Sequence, residues 1–284
     1  MCVETRGRKK EEGPKVYAFG YLIKGQSFRL IEERTLPEYH LHLAFSADYS
    51  TDRGVLATAM VIDALLEIGD EIGRKCAQKR VLLRFWCKST ERSQMSFLKA
   101  FGFTPYDKMF VMEKTLRQAG KGRTDSAESS RRENANGERV NGVNMSSAPA
   151  SVYDLSKPSN MKEYLLGTEE AFDIPDSEDE MIYCMSHRKG MVYTNAGYAF
   201  VTVYPVTAEK AATENVFTRK AFRRQGLMEN LLLNVHEILA GQGYKKATLN
   251  VYEKDTDAIR LYEKTGYKKK HTLIELCVET GIRI

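Results

Sequence analysis

Residues 221–232 read AFRRQGLMENLL. Two arginines, a glutamine and a glycine precede an apolar run in which Leu227, Leu231, Leu232, Val235, Ile238 and Leu239 recur at helical spacing. The pattern predicts a turn feeding an amphipathic helix, with Gly241 as its stop. The first amides of a helix have no partner within it, and the dipole makes that end positive. Gly226 removes a side chain where a ligand would meet the backbone. Arg223 and Arg224 add fixed charge, with Gln225 between them and the glycine. The stretch therefore predicts a pocket for phosphate or pyrophosphate, set against the plainer reading of a solvated basic turn.

Elements follow on both sides. Downstream, KATLNVY reads as a strand, TDAIRLYEKTGY as a short helix capped by Asp255 or Thr256, and KKKHTLIELCVE as a strand. Upstream, SNMKEYLLGTEEAF reads as a helix, and MIYCMSHR, MVYTNAG, YAFVTVYPV and ENVFT read as strands rich in Val, Tyr, Phe and Thr. The acidic run DIPDSEDE, residues 173–180, reads as a solvated loop, set against the alternative that it lines a site and attracts a cationic amine. The first half repeats the order more faintly: strands VYAFGYLI, SFRLIEE and HLHLAFSA, a helix from about Gly54 to Ala77, a strand RVLLRFWCK carrying Trp86, a helix ERSQMSFLKAFGF, and a strand MFVMEKTL. The repeated cue is LKAFGF against YEKTGY.

Between the halves, residues 117–151 hold no aromatic and almost no large apolar side chain. Such a segment buries too little to offset its chain entropy, so it reads as a flexible linker. The expected organisation is a tail at 1–15, domains at 16–116 and 152–284, and the linker between them.

The chain has 284 residues, 42% of them hydrophobic, enough for two domains with cores of their own. Its 43 basic and 38 acidic residues are intermixed, and a net charge of +5 gives no stripe of the kind nucleic acid requires. Cys2, Cys76, Cys87, Cys184 and Cys277 are scattered, with no CxxC pair to hold zinc. No apolar run of about 18 residues or secretory core occurs. These features read as a cytoplasmic protein with reduced thiols, no metal and no membrane partner.

TENVFTRKAFRRQGL, followed some thirty residues later by DTDAIRLYEKTGY, resembles the GNAT family of acyl-CoA-dependent N-acetyltransferases. The family's Arg/Gln-x-x-Gly-x-Gly/Ala loop corresponds to Arg223, Gly226 and Met228. Its second signature, Asn-x-x-Ala-x-x-Leu-Tyr-x-x-x-Gly-Phe, corresponds to Asp255, Ala258, Leu261, Tyr262, Gly266 and Tyr267. Met228 and Asp255 depart from the family's usual residues. The resemblance covers roughly 155–280 and implies an α/β fold with a mixed sheet, two GNAT-like acyl-CoA N-acyltransferase domains and acetyl-CoA as cosubstrate. It implies that backbone groups of Val216, Phe217 and Thr218 run beside the pantetheine arm, like an added strand. By the same resemblance, Arg223, Arg224, Gln225, Gly226, Leu227 and Met228 hold the pyrophosphate, and Asn250 sits near the point where two strands splay. Asp255 and Ala258 complete the cofactor side.

In that frame Tyr262 is the general acid that protonates the leaving sulfur, and an amide near Phe217 or Thr218 binds the thioester oxygen. Glu214 is the candidate general base; His187 and His236 are poor choices. The first half places Asp52 and Arg53 against Arg224 and Gln225, and Leu98 against Tyr262, so it reads as a degenerate, non-catalytic repeat. The acceptor stays open among small amines, aminoglycosides, peptide N-termini and protein lysines, as does a homodimer. The alternative function is a non-catalytic acyl-CoA-binding or regulatory module.

Overall fold

Eleven strands and six α-helices account for the apolar patterning among the described residues of this computed structural model. The structure describes the backbone of residues 2–5, 15–31, 34–45, 52–75, 80–117, 149–172 and 176–280, and side chains from residue 55 onward within those ranges. The chain forms two compact units, Met1–Met109 with Thr272–Ile284, and Phe110–His271. The first is not a contiguous stretch. A reading with boundaries at 116 and 152 treats each half as self-contained, whereas each unit takes strand residues from the far half of the sequence. The expected linker lies outside the described residues except at its ends.

In the first unit, β1 (Cys2–Thr5), β2 (Lys15–Ile31) and β3 (Arg34–Phe45) pair antiparallel in order. The expected tail at 1–15 thus contributes a strand. VYAFGYLI and SFRLIEE join into the single strand β2, with a register irregularity between Lys24 and Phe28. α1 (Asp52–Lys75) leads to β4 (Val81–Lys88), which runs parallel to β3. Val81, Leu82, Leu83, Phe85 and Cys87 of β4 are buried on both faces, which is why that strand reads as a continuous apolar run. α2 (Arg92–Ala100) seats Leu98 in the core and precedes β5 (Thr104–Thr115). The final strand, β11 (Lys268–Thr280), pairs antiparallel with β4 through Leu273–Thr280. Ile274 and Leu276 join the cluster built on Val61, Ile62 and Leu65 of α1.

In the second unit, β6 (Ser151–Val152), β7 (Met191–Asn195), β8 (Ala199–Thr207) and β9 (Lys210–Thr218) are antiparallel neighbours. β10 (Lys246–Tyr252) lies parallel to β9, and the Phe110–Thr115 part of β5 lies next to β10. α5 (Leu227–Gly241) and α6 (Thr256–Lys264) pack Leu227, Leu231, Val235 and Tyr262 into one core cluster with Leu249 and Val251. α3 (Pro158–Ala171) buries Met161 and Tyr164 against Phe200 and Phe217.

The segment read as a strand at MIYCMSHR is a helix, α4 (Glu178–His187). Ser177 and Glu180 close a capping box: the Ser177 amide donates to Glu180 Oε2 at 2.6 Å and the Glu180 amide to Ser177 Oγ at 3.3 Å. Met181 and Cys184 are buried one turn apart. The acidic run contributed the cap that fixes this helix, so its latter part is a helix start and not a loop.

Gly167 sets how closely α3 approaches the sheet. A Cβ there would lie 2.5 Å from Cε2 of Phe217, a ring stacked on Phe200 and unable to retreat. Gly167→Ala is expected to destabilise by about 1 to 2 kcal/mol, overpacking outweighing the helix gain of about 1 kcal/mol. Urea denaturation reads this directly, and an unchanged midpoint would contradict the packing.

Candidate active site

The parallel ladder between β9 and β10 holds only three residue pairs: Lys246 with Lys210, Ala247 with Ala211, and Thr248 with Ala212. Beyond Thr213 and Leu249 the strands part. On the other edge of β9, Phe200 pairs with Phe217 and Thr202 with Glu214, so Asn215 and Val216 together face one residue of β8. This is a β-bulge, and Asn215 takes the left-handed φ of 47°. A bulge bends its strand, here where the partner strand is leaving.

The bulge also decides which amides face the gap. The Arg219 amide donates to Tyr198 O on the β8 side at 2.8 Å. By strand alternation Phe217 also faces β8, while Val216 and Thr218 turn their backbone groups toward the gap. The oxygen-binding amide expected near Phe217 or Thr218 is thus not that of Phe217. Its ring instead lies under α3, among Tyr164, Phe172 and Phe200. The Thr218 carbonyl accepts from Arg223 Nε at 3.1 Å, leaving Val216 with both groups toward the gap.

Past β9 the chain makes the turn singled out at the start. Arg224 has φ 64° and Gly226, the N-cap of α5, has φ 77°. Left-handed residues set this close together turn successive amides toward one side, a concavity suited to an anion. A Cβ at Gly226 would meet nothing within 4 Å, so the approach to the helix start is open. The exposed Arg224 side chain pairs with Asp257 in the first turn of α6 at 2.6 Å. A pair so exposed holds weakly and yields readily to a phosphate.

Arg223 joins two elements. Its guanidinium donates to Glu170 O at 2.8 Å and to Thr218 O, tying the end of α3 to the end of β9. The Glu170 carboxylate receives the fork of Arg219 and the Lys220 amide, which hold it well below the usual carboxylate range. Gln225 is half-buried, and Leu227 and Met228 point into the core. Met228 therefore replaces the small residue expected there by packing inward. Asn250 is exposed on the diverging part of β10. Asp255 is the N-cap of α6, although its side chain makes no cap bond, and Ala258 packs against the core one turn on.

Residues 150–267 match the model of the acetyltransferase (GNAT) family. A GNAT acetyltransferase domain occupies this part of the chain. Solved structures share the fold. A GCN5-related N-acetyltransferase from Sphaerobacter thermophilus is 18% identical with a TM-score of 0.67, covering 95% of this chain and 79% of its own. A putative acetyltransferase from Pyrococcus horikoshii is 14% identical with a TM-score of 0.53, covering 95% and 71%. A tandem GNAT protein from the clavulanic acid biosynthesis pathway is 11% identical with a TM-score of 0.57, covering 96% and 82%.

Within the GNAT domain, Tyr262 is buried in the cluster that includes Leu227 and Met228, with Val216 packed against it. Burial, then the neighbouring Tyr267 and Asp255, raises its pKa, so the phenol keeps its proton at neutral pH. Among the described residues its hydroxyl has no hydrogen-bond partner. Glu214 is already engaged: Arg188 donates to both its oxygens, at 3.2 and 3.4 Å, and the Tyr204 hydroxyl donates to Oε1. The Arg188 guanidinium also stacks on the Tyr204 ring, 3.4 Å from its centroid.

One buried chain of polar groups was not legible in the sequence. Lys114 Nζ, which can only donate, donates to Thr265 O at 2.6 Å and to His236 Nδ1 at 2.9 Å. His236 therefore carries its proton on Nε2 and donates to the Tyr267 hydroxyl at 3.1 Å. Tyr267 donates to Thr213 Oγ1 at 3.2 Å, and Thr213 to Thr248 O at 3.3 Å. The chain ends where β9 and β10 part, and it pins the closed end of the gap.

Burial and the Lys114 charge lower the His236 pKa to about 3. The unfolded chain, with an imidazole pKa of about 6.5, then binds the proton first as pH falls. Stability is complete above that value and is lost as pH drops toward about 3. Going from about pH 6.5 to about pH 5 removes about 2 kcal/mol. His236→Gln is expected to flatten that loss in urea titrations at the two pH values, and an equally steep loss would reject it.

Proposed function

We propose that the GNAT domain transfers acetyl from acetyl-CoA to a primary amine of a small molecule or peptide. The observation that carries this is the gap between β9 and β10, opened by the bulge at Asn215–Val216 and ending beside the N-terminus of α5. The residues fit an acyl-CoA. Val216 offers its carbonyl to an amide-bearing arm as an added strand would. The amides of the 224–228 turn and the Arg224 guanidinium suit a diphosphate. Bound acetyl-CoA supplies the activated acyl group.

This chain's own groups do the rest. The Val216 amide donates to the thioester oxygen as negative charge develops there. Tyr262 gives its proton to the leaving sulfur. The first half is read as non-catalytic: α1 begins at Asp52, so Gly54 lies inside the helix and not at its cap, and Leu98 is fully buried where the repeat places Tyr262.

The test is thiol release from acetyl-CoA by the full chain against a panel of primary amines: ethanolamine, spermidine, an aminoglycoside and a lysine-containing peptide. Amine-dependent release is expected. A protein that binds coenzyme A but releases no thiol with any of them is a binding module.

A further inference from the structure

We infer that Asp176 is the general base that takes the proton from the acceptor amine. The inference rests on the acetyltransferase reading and names a residue that reading leaves open. Asp176 enters the site just ahead of the Ser177 cap of α4, and its Oδ2 accepts a hydrogen bond from Asn215 Nδ2 at 2.7 Å. Asn215 is the bulged, left-handed residue of β9, and the next residue, Val216, presents its amide to the gap. The carboxylate is thus tethered one residue from the amide that receives the thioester oxygen. A base on that side meets an amine approaching the carbonyl carbon.

The surroundings suit the task. Among the described residues no lysine or arginine forms an ion pair with Asp176. The charged groups facing it are Glu180 on α4 and Glu214 on β9, both carboxylates. Glu180 is held by the helix cap and Glu214 by Arg188 and Tyr204. Tyr164 on α3 and Cys184 on α4 also face it, and burial keeps both protonated. Burial, then the charges of Glu180 and Glu214, push the Asp176 pKa up to about 6. A carboxylate in this range is mostly ionised at neutral pH yet basic enough to accept a proton in the reaction. Glu214 lacks that freedom, because both its oxygens already receive donors.

The protons balance. The ammonium of the acceptor gives one proton to Asp176 and becomes the free amine. Its nitrogen forms a bond to the carbonyl carbon as the carbon–sulfur bond breaks. Tyr262 gives its proton to sulfur and regains one from the acylated nitrogen. Asp176 then loses its proton to solvent, so each turnover releases one proton, the thiol and the amide.

Asp176→Asn in the full chain tests this, with thiol release measured across pH using the amine panel above. The expected result is a loss in kcat/KM of about a hundredfold at neutral pH and disappearance of the acidic limb near pH 6, with coenzyme A affinity retained. Asn215→Gly, which tolerates a positive φ and removes the donor that favours the ionised carboxylate, is expected to shift that limb to higher pH. A carboxyl carbon titration by NMR, with Asp176→Asn assigning the signal, is expected to show a midpoint near 6. A wild-type rate and limb in a folded, coenzyme A-binding Asp176→Asn protein overturns the assignment, as does a midpoint at the ordinary aspartate value of about 4. Absence of thiol release by the wild-type protein fails the acetyltransferase reading itself and is distinguishable from both.

Discussion

Tyr262→Phe is expected to lower amine-dependent thiol release by about a hundredfold, the ordinary contribution of a positioned acid, while coenzyme A still binds. The substitution removes one oxygen from a ring whose remaining atoms stay in the core cluster of Leu227, Met228 and Val235. Among the described residues that oxygen makes no hydrogen bond, so its loss orphans no partner and folding is undisturbed. The effect therefore falls on kcat, with the KM for acetyl-CoA little changed, as for an interaction made only at the transition state. Equal turnover by wild type and variant would take the hydroxyl out of the chemistry. Lost coenzyme A affinity would instead make it a packing residue.

Gly226→Val has a larger effect on binding. Gly226 has φ 77°, a conformation that a β-branched residue adopts only at a cost of about 1 to 3 kcal/mol. If the turn keeps its shape, the valine methyls fill the open space that an arriving phosphate needs. If it relaxes, the amides no longer converge. Either way coenzyme A affinity is expected to fall by about a hundredfold or more, alongside the stability loss. Calorimetric titration of coenzyme A together with a melting curve measures both. Unchanged affinity in a destabilised variant would move the diphosphate away from this turn.

Much of the architecture is legible without coordinates. The apolar spacing from Leu227 to Leu239 specifies α5, KATLNVY spans β10 from end to end, and the turn at 223–226 announces a helix start with converging amides. Period and turn chemistry are local, and here local preference agrees with the final structure. It fails at MIYCMSHR, where an apolar run too short to settle its period is decided by the Ser177–Glu180 cap before it.

The sequence by itself determined where α5 and α6 begin, which of their faces are apolar, and that an arginine- and glycine-bearing turn precedes a phenol on a later helix. Tertiary structure alone decided that Arg223 ties α3 to β9, that Glu214 is held by Arg188 and Tyr204, and that Lys114 reaches His236 across 122 residues of chain. It also decided that a bulge turns Val216 toward a gap and ties Asp176 beside it. The physical reason is that a side chain's partners and burial are set by segments distant in sequence, and these determine whether a carboxylate is satisfied or basic.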